Sequence, residues 1–191
     1  HLHLHSEYSL ADSTIRIPEL VQRCVAQGQP AVAMTDRNNL FALVKFYKAC
    51  ESAGIKPIAG ADISIAEGDE TPWKLTLLCR DRSGYLSLSR LLSRAWMEGQ
   101  RHDGVMVRPQ WLQEANAGLF ALAGRHSQDG QLLAGNRPDL ALQSLADWQR
   151  HFDDRFHLEL TRCGFEAETP FNAFALHAAA ERGLPVVASN D

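Results

Sequence analysis

Apolar residues recur along this chain with two rhythms in turn: short runs of strand length, then stretches spaced three and four residues apart. The first run, HLHLH, alternates strictly, which in an extended strand puts His1, His3 and His5 on one side and Leu2 and Leu4 on the other. A helix is expected from about Pro18, where IPELVQRCVAQG has proline in its first turn, apolar residues at Leu20, Val21, Cys24 and Val25, and Gly28 as a stop. AVAMTD reads as a buried strand. NNLFALVKFYKACESAG is expected to be a helix with Leu40, Leu43, Val44, Tyr47 and Cys50 on its buried face, Asn38 or Asn39 as cap and Gly54 closing it. KPIAGADISI and WKLTLLCR are strands, GYLSLSRLLSRAWMEG is a helix, and GQRHDGVMVRP is a mobile loop. A short helix near Pro109 to Glu114, the strand LFALAG, a helix from about Pro138 to Phe152, the strand RFHLELT, a helix from about Ala167 to Arg182 and the strand PVVASND complete the order.

Such alternation predicts an α/β fold of parallel strands and helical crossovers, either a barrel or an open doubly wound sheet. In both, functional groups collect where strands end. His3, His5, Asp36, Arg37, Asp62, Arg125, His126, Asn190 and Asp191 all end or follow strand-like runs, so one mouth is expected to gather them.

A length of 191 residues with 45% hydrophobic residues fits one domain. Lysine and arginine total 19 against 23 acids, for a net charge of -4, which lacks the electrostatic footprint of a free-standing nucleic-acid binder. Cys24, Cys50, Cys79 and Cys163 lie far apart without a CxxC pair and are expected to be buried, reduced thiols. No apolar run approaches the roughly 18 residues that span a bilayer, and no basic segment precedes an apolar one at the start. A cytoplasmic location without membrane contact is expected. The first residue is not methionine and the last follow a strand-like run, which leads to the expectation of a fragment of a longer polypeptide.

Two histidines spaced HxH offer two nitrogen ligands to one ion, and carboxylates from other strands can bridge a second or third, as metal-dependent hydrolases require. The plainer readings are that the histidines line a polar strand face, that Asp12 serves a turn, and that Asp36 ends a strand and prepares the next helix cap. His102, His151, His157 and His177 read as surface or packing residues; of these, His157 stands nearest to a ligand role because it shares a strand face with Glu159.

Four stretches, HLHLHSEYSLAD, AVAMTDRNNLFALVKFYKACESAGIKPIAGAD, LTLLCRDRSGYLSLSRLLS and GLPVVASND, together resemble the N-terminal polymerase-and-histidinol-phosphatase (PHP) domain of bacterial replicative DNA polymerase III alpha subunits. The resemblance implies a distorted seven-stranded (β/α) barrel occupying residues 1–191, incomplete at its C-terminal end, within a much longer chain that carries the DNA-directed DNA polymerase site. It implies a metal cluster in active members, a neighbouring epsilon-type proofreading exonuclease subunit, and DNA contact only through the parent enzyme. On the same resemblance His3 and His5 match the HxH metal motif, Asp12 the acidic ligand after it, Asp62 a carboxylate ligand and Asp191 the aspartate of the last motif. Three positions depart: Arg37 stands where active members have the histidine of TDH, Lys74 where a histidine precedes LTLL, and Arg125 where a cysteine or histidine follows LFALAG, unless a one-residue slip puts His126 there.

Arginine has no lone pair to donate and stays protonated. Fixed cations repel a neighbouring ion by roughly 4 kcal/mol per unit-charge pair at about 4 Å and an effective dielectric of about 20, while an unpaired buried carboxylate costs several kcal/mol. Arg37, Lys74 and Arg125 are therefore expected to fill the space of lost ions and pair with Asp12, Asp62 and Asp191, with no cofactor held. The alternative is a reduced site in which His3, His5 and the acids keep one Zn²⁺, Mn²⁺ or Mg²⁺. The expected function is a catalytically degenerate scaffold in DNA replication that docks the exonuclease subunit. The competing one is an active metal-dependent phosphoesterase, acting as a 3'-5' exonuclease or a pyrophosphatase through His3, His5, Asp12, Asp62 and Asp191. A stand-alone histidinol phosphatase is a third reading, which the polymerase-like stretch from Ala31 to Asp62 disfavours.

Overall fold

The computed structural model describes residues 1–10 and 12–189. In chain order the elements are α1 (Ile17–Ala26), β1 (Ala31–Met34), α2 (Leu43–Ser52), β2 (Lys56–Ile65), β3 (Trp73–Cys79), α3 (Arg82–Glu98), β4 (Gln100–Arg101), β5 (Gly104–Val105), α4 (Pro109–Glu114), β6 (Leu119–Ala123), α5 (Gln128–Ala134), α6 (Pro138–Phe152), β7 (Phe156–Thr161), α7 (Glu168–Arg182) and β8 (Val186–Ser189). Six strands form one curled half-barrel sheet in the order β1-β2-β3-β6-β7-β8. Within it β3 runs antiparallel to both neighbours, and the other pairs are parallel. The α/β class is as expected, although the sheet has six strands among the described residues where the resemblance implied seven.

Helices cover the sheet's outer face because their apolar stripes have nowhere else to go. One core joins Ile63, Leu75 and Leu77 of the central strands to Leu88, Leu145 and Phe152 of α3 and α6. A second joins Ile17, Val21 and Cys24 of α1 to Val32, Phe46 and Cys50. Asp81 caps α3 by accepting from the Gly84 amide at 3.1 Å. Gly84 also lets α3 lie against the loop before β6, since a Cβ there would stand 1.9 Å from the Gly118 carbonyl oxygen.

Several expectations change. Residues 1–5 form no strand. The amides of Ala33 and Thr35 donate to the carbonyls of His1 and Leu4, both at 2.9 Å, but the Leu4 amide donates to the Thr35 hydroxyl at 2.8 Å. A side-chain oxygen thus takes the place of a ladder carbonyl, and regular pairing is lost.

The helix expected from Asn38 or Asn39 starts later, at Leu43. Asn38 has φ 49°, and the Asn39 side chain accepts from the Phe41 amide at 3.0 Å, making a separate turn. The buried stripe becomes Ala42, Phe46 and Cys50, while Val44 and Tyr47 are exposed. These two border an apolar trough of about 1050 Å³ on the inner sheet face, with Ile58, Tyr85, Phe120 and Val187 among its other walls. The loop expected to be mobile contains the β4–β5 ribbon. α5, which sequence patterning did not suggest, is capped by Ser127. Cys24 and Cys50 are buried, but Cys79 is half-buried and Cys163 is exposed, so the uniform burial expected of the cysteines is wrong.

Candidate functional site

Asp36, at the end of β1, is nearly fully buried and holds the first turn of the chain in place. Its carboxylate accepts from the Ser6 amide at 2.6 Å, the Ser6 hydroxyl at 2.7 Å and the Ser9 hydroxyl at 2.7 Å. It is an anchor for the histidine segment and not a preparation for a helix cap. The anchored segment turns His3 and His5 toward β2, their rings edge-on with centroids 5.3 Å apart.

Each imidazole is held from Nδ1 by a carboxylate. Glu159 lies 3.0 Å from His3 Nδ1, and Asp12 lies 2.5 Å from His5 Nδ1. The two Nε2 atoms face the same oxygen, Oδ2 of Asp62, at 3.9 Å from His3 and 3.4 Å from His5. Asp62 is buried in β2, where its amide donates to the carbonyls of Thr35 and Asp36. His3, His5 and Asp62 offer two nitrogens and one oxygen, all within 4.8 Å of one another.

All three expected side-chain cations border this corner. Arg37 Nε lies 3.1 Å from Asp12 Oδ2, and Lys74 Nζ lies 3.9 Å from Asp62 Oδ2. Lys74 reaches the mouth from the beginning of its strand because β3 runs backwards relative to β2. Arg125 packs its guanidinium 4.6 Å above the Phe165 ring, and His126 is exposed while its carbonyl accepts from the Lys74 amide. Asp191, the remaining expected ligand, lies outside the described residues, as does Asn190. His102 and His177 are exposed, while His151 and His157 pack against Trp148 and Phe120.

Burial alone would lower the basicity of His3; hydrogen bonds and charge from Asp62 and Glu159 outweigh it and raise the pKa to about 10. For Asp62 burial acts upward, but His3, His5 and Lys74 hold its carboxyl below the usual carboxylate range. Protein cations alone can therefore balance the acid in this corner. His5 Nε2 is nonetheless buried with only the Asp62 carboxylate, 3.4 Å away and outside good hydrogen-bond geometry, in front of it, a spacing that leaves room for an ion between the two. The side chains fit one ion at His3, His5 and Asp62. Among the described residues they do not fit a second at Asp12 or beyond Asp62, where Arg37 and Lys74 stand. A polar cavity of about 860 Å³ between the first segment and α1, lined by His3, His5, Asp12, Glu19 and Arg23, gives access from solvent.

Sequence reasoning missed Glu159 and the anchoring role of Asp36. Glu159 carried a weak signal, its shared strand face with His157.

The model of the PHP domain matches residues 1–163. The chain belongs to the PHP domain family. It is 58% identical over 206 aligned residues to the DNA polymerase III subunit alpha of Xylella fastidiosa, and 42% identical over 195 to that of Escherichia coli, matching their N-terminal region. Each alignment covers 100% of this chain and 17% of the relative, so the chain spans about one sixth of their length. Among solved structures, a protein assigned as a metal-dependent phosphoesterase from Bifidobacterium adolescentis superimposes with a TM-score of 0.67 at 14% identity, covering 98% of this chain and 85% of that one. An amidohydrolase from Chromobacterium violaceum gives 0.61 at 16% identity, covering 99% and 86%. At such identities these two show a shared fold alone.

Proposed function

We propose that this chain is the N-terminal module of a bacterial replicative DNA polymerase alpha chain, and that it works as a scaffold and docking surface for the proofreading exonuclease subunit and not as a phosphoesterase. Identity over the whole chain to alpha subunits supports the first part. The observation that carries the second is the pair of side-chain cations: Arg37 on Asp12 and Lys74 beside Asp62 stand where a hydrolytic cluster needs further ions. His3, His5 and Asp62 would hold a single ion, which supplies Lewis acidity when bound. Without a neighbouring ion to share the phosphate, this chain's own residues do no more than orient ligands: Asp12 and Glu159 fix the rings and Asp36 fixes the backbone that bears them. Polymerisation and DNA contact belong to the rest of the parent chain, in the cytoplasm.

Two measurements test this reading. The chain, supplied with Mn²⁺ and a chromogenic phosphate ester, is expected to stay at background, and to retain a purified exonuclease subunit on an affinity column. The same one-ion corner is what would favour the phosphoesterase reading. Turnover that His5→Ala abolishes would establish that reading in place of the scaffold.

A further inference from the structure

Glu159 lies 156 residues after His3 in sequence and on β7, the last strand but one of the sheet, yet it makes the closest polar contact to that ring. Its Oε1 also accepts from the Ser189 hydroxyl on β8 at 2.6 Å. The side chain is 5% exposed, and Gly124 leaves room for it: a Cβ at position 124 would stand 2.8 Å from Glu159 Oε2. The carboxylate is thus buried, oriented by a second donor, the Ser189 hydroxyl, and given space by a glycine, more fixation than packing a histidine requires.

The chemistry of such an arrangement is specific. Once a cation displaces the Nε2 proton, an imidazole that donates from Nδ1 to a carboxylate presents its lone pair on Nε2, has its ring orientation fixed, and is a stronger donor to that cation. We propose that Glu159 is a positioning residue for ion binding, holding His3 in the tautomer and direction that present Nε2, with His5 Nε2 and Asp62 Oδ2, to one Zn²⁺. The inference rests on the one-ion fit described above. Two imidazole nitrogens and one carboxylate oxygen suit Zn²⁺ better than Mg²⁺, which favours an oxygen shell and keeps its waters. Asp12 plays the matching part for His5 less firmly. It is a quarter exposed and shares its oxygen with Arg37, so its loss costs less.

The test is calorimetric titration of Zn²⁺ into chelator-stripped chain: wild type, Glu159→Gln, Glu159→Ala and Asp12→Ala. Visible absorption of bound Co²⁺ reports ligand geometry, and circular dichroism reports the fold. Wild type is expected to take up one equivalent. Glu159→Ala is expected to weaken binding about 10- to 100-fold, with an altered Co²⁺ band. Glu159→Gln, which keeps an acceptor for Nδ1–H, falls between it and wild type, and Asp12→Ala loses less than Glu159→Ala. Should Glu159→Ala not fold, the Gln variant decides alone, by weakened binding or by affinity equal to wild type. A purely structural role would lower stability and leave the affinity and Co²⁺ spectrum of folded protein unchanged, which overturns the proposal. Wild type that binds no ion overturns the one-ion fit itself, a different result from an ion bound equally well by all variants.

Discussion

Replacing Asp129 with asparagine removes a buried carboxyl that the fold accommodates more readily as the neutral acid than as the carboxylate. Asp129 sits in the first turn of α5, 1% exposed, with Oδ1 accepting from the Ser127 hydroxyl at 2.9 Å and Oδ2 buried without a hydrogen-bond partner. Burial raises its pKa from 3.8 to about 6, with the Ser127 hydrogen bond acting the other way. The folded state therefore holds this proton more tightly than the unfolded chain does. The stability contributed by the group is complete below about pH 4 and is lost as pH rises through about 6. Two units at about 1.36 kcal/mol each make the loss about 3 kcal/mol by pH 7. Urea unfolding of wild type and Asp129→Asn at pH 4, 5, 6 and 7 measures it, because effects of other titrating groups cancel in the difference. The variant should gain about 3 kcal/mol relative to wild type across that range, about 6 to 12 °C in Tm for a chain of this size. A difference constant to within about 0.5 kcal/mol would refute the argument, since it would mean that Asp129 ionises in the folded state as it does in water.

Other expectations follow from single contacts. Asp62→Asn leaves His3, His5 and Lys74 without their shared partner and should cost about 3 kcal/mol in chelator, the low end for a broken buried pair because Glu159 remains on His3 and Lys74 is partly solvated; an unchanged urea midpoint would contradict it. Asp36→Ala strips three donors of Ser6 and Ser9 of their acceptor, and a loss of about 3 kcal/mol is expected, together with loss of Zn²⁺ uptake by titration. Gly84→Ala drives a methyl into the Gly118 backbone and should destabilise by about 3 kcal/mol or more. Gly28→Ala, with φ +64° but open space around it, should cost only about 1 kcal/mol; equal midpoints for these two variants would refute the steric account.

What could be read from the sequence was local. The HxH spacing places His3 and His5 together, and periodicity marks α1, α6 and α7 nearly to the residue. Hidden features depend on partners far apart in the chain. Nothing near Asp36 announces that Ser6 and Ser9, about 30 residues away, will donate to it, and nothing near Glu159 points to His3. α2 carries two competing apolar stripes, and tertiary packing chose the one through Phe46 over the one through Val44 and Tyr47. Lys74 belongs to the mouth although it begins its strand, an outcome that the rule of strand ends cannot supply when one strand is reversed.

That reversal inverts where the molecule tolerates engineering. For the parallel strands, the mouth is reached through the segment that follows each one. For β3 it is reached through the hairpin before it, residues 66–72, while Arg80 and Asp81 turn at the far rim. An insertion between Gly68 and Thr71 would therefore lie on the same rim as Lys74, whereas one after Cys79 would lie on the opposite rim, beside the Asp81 cap and the Gly84–Gly118 contact.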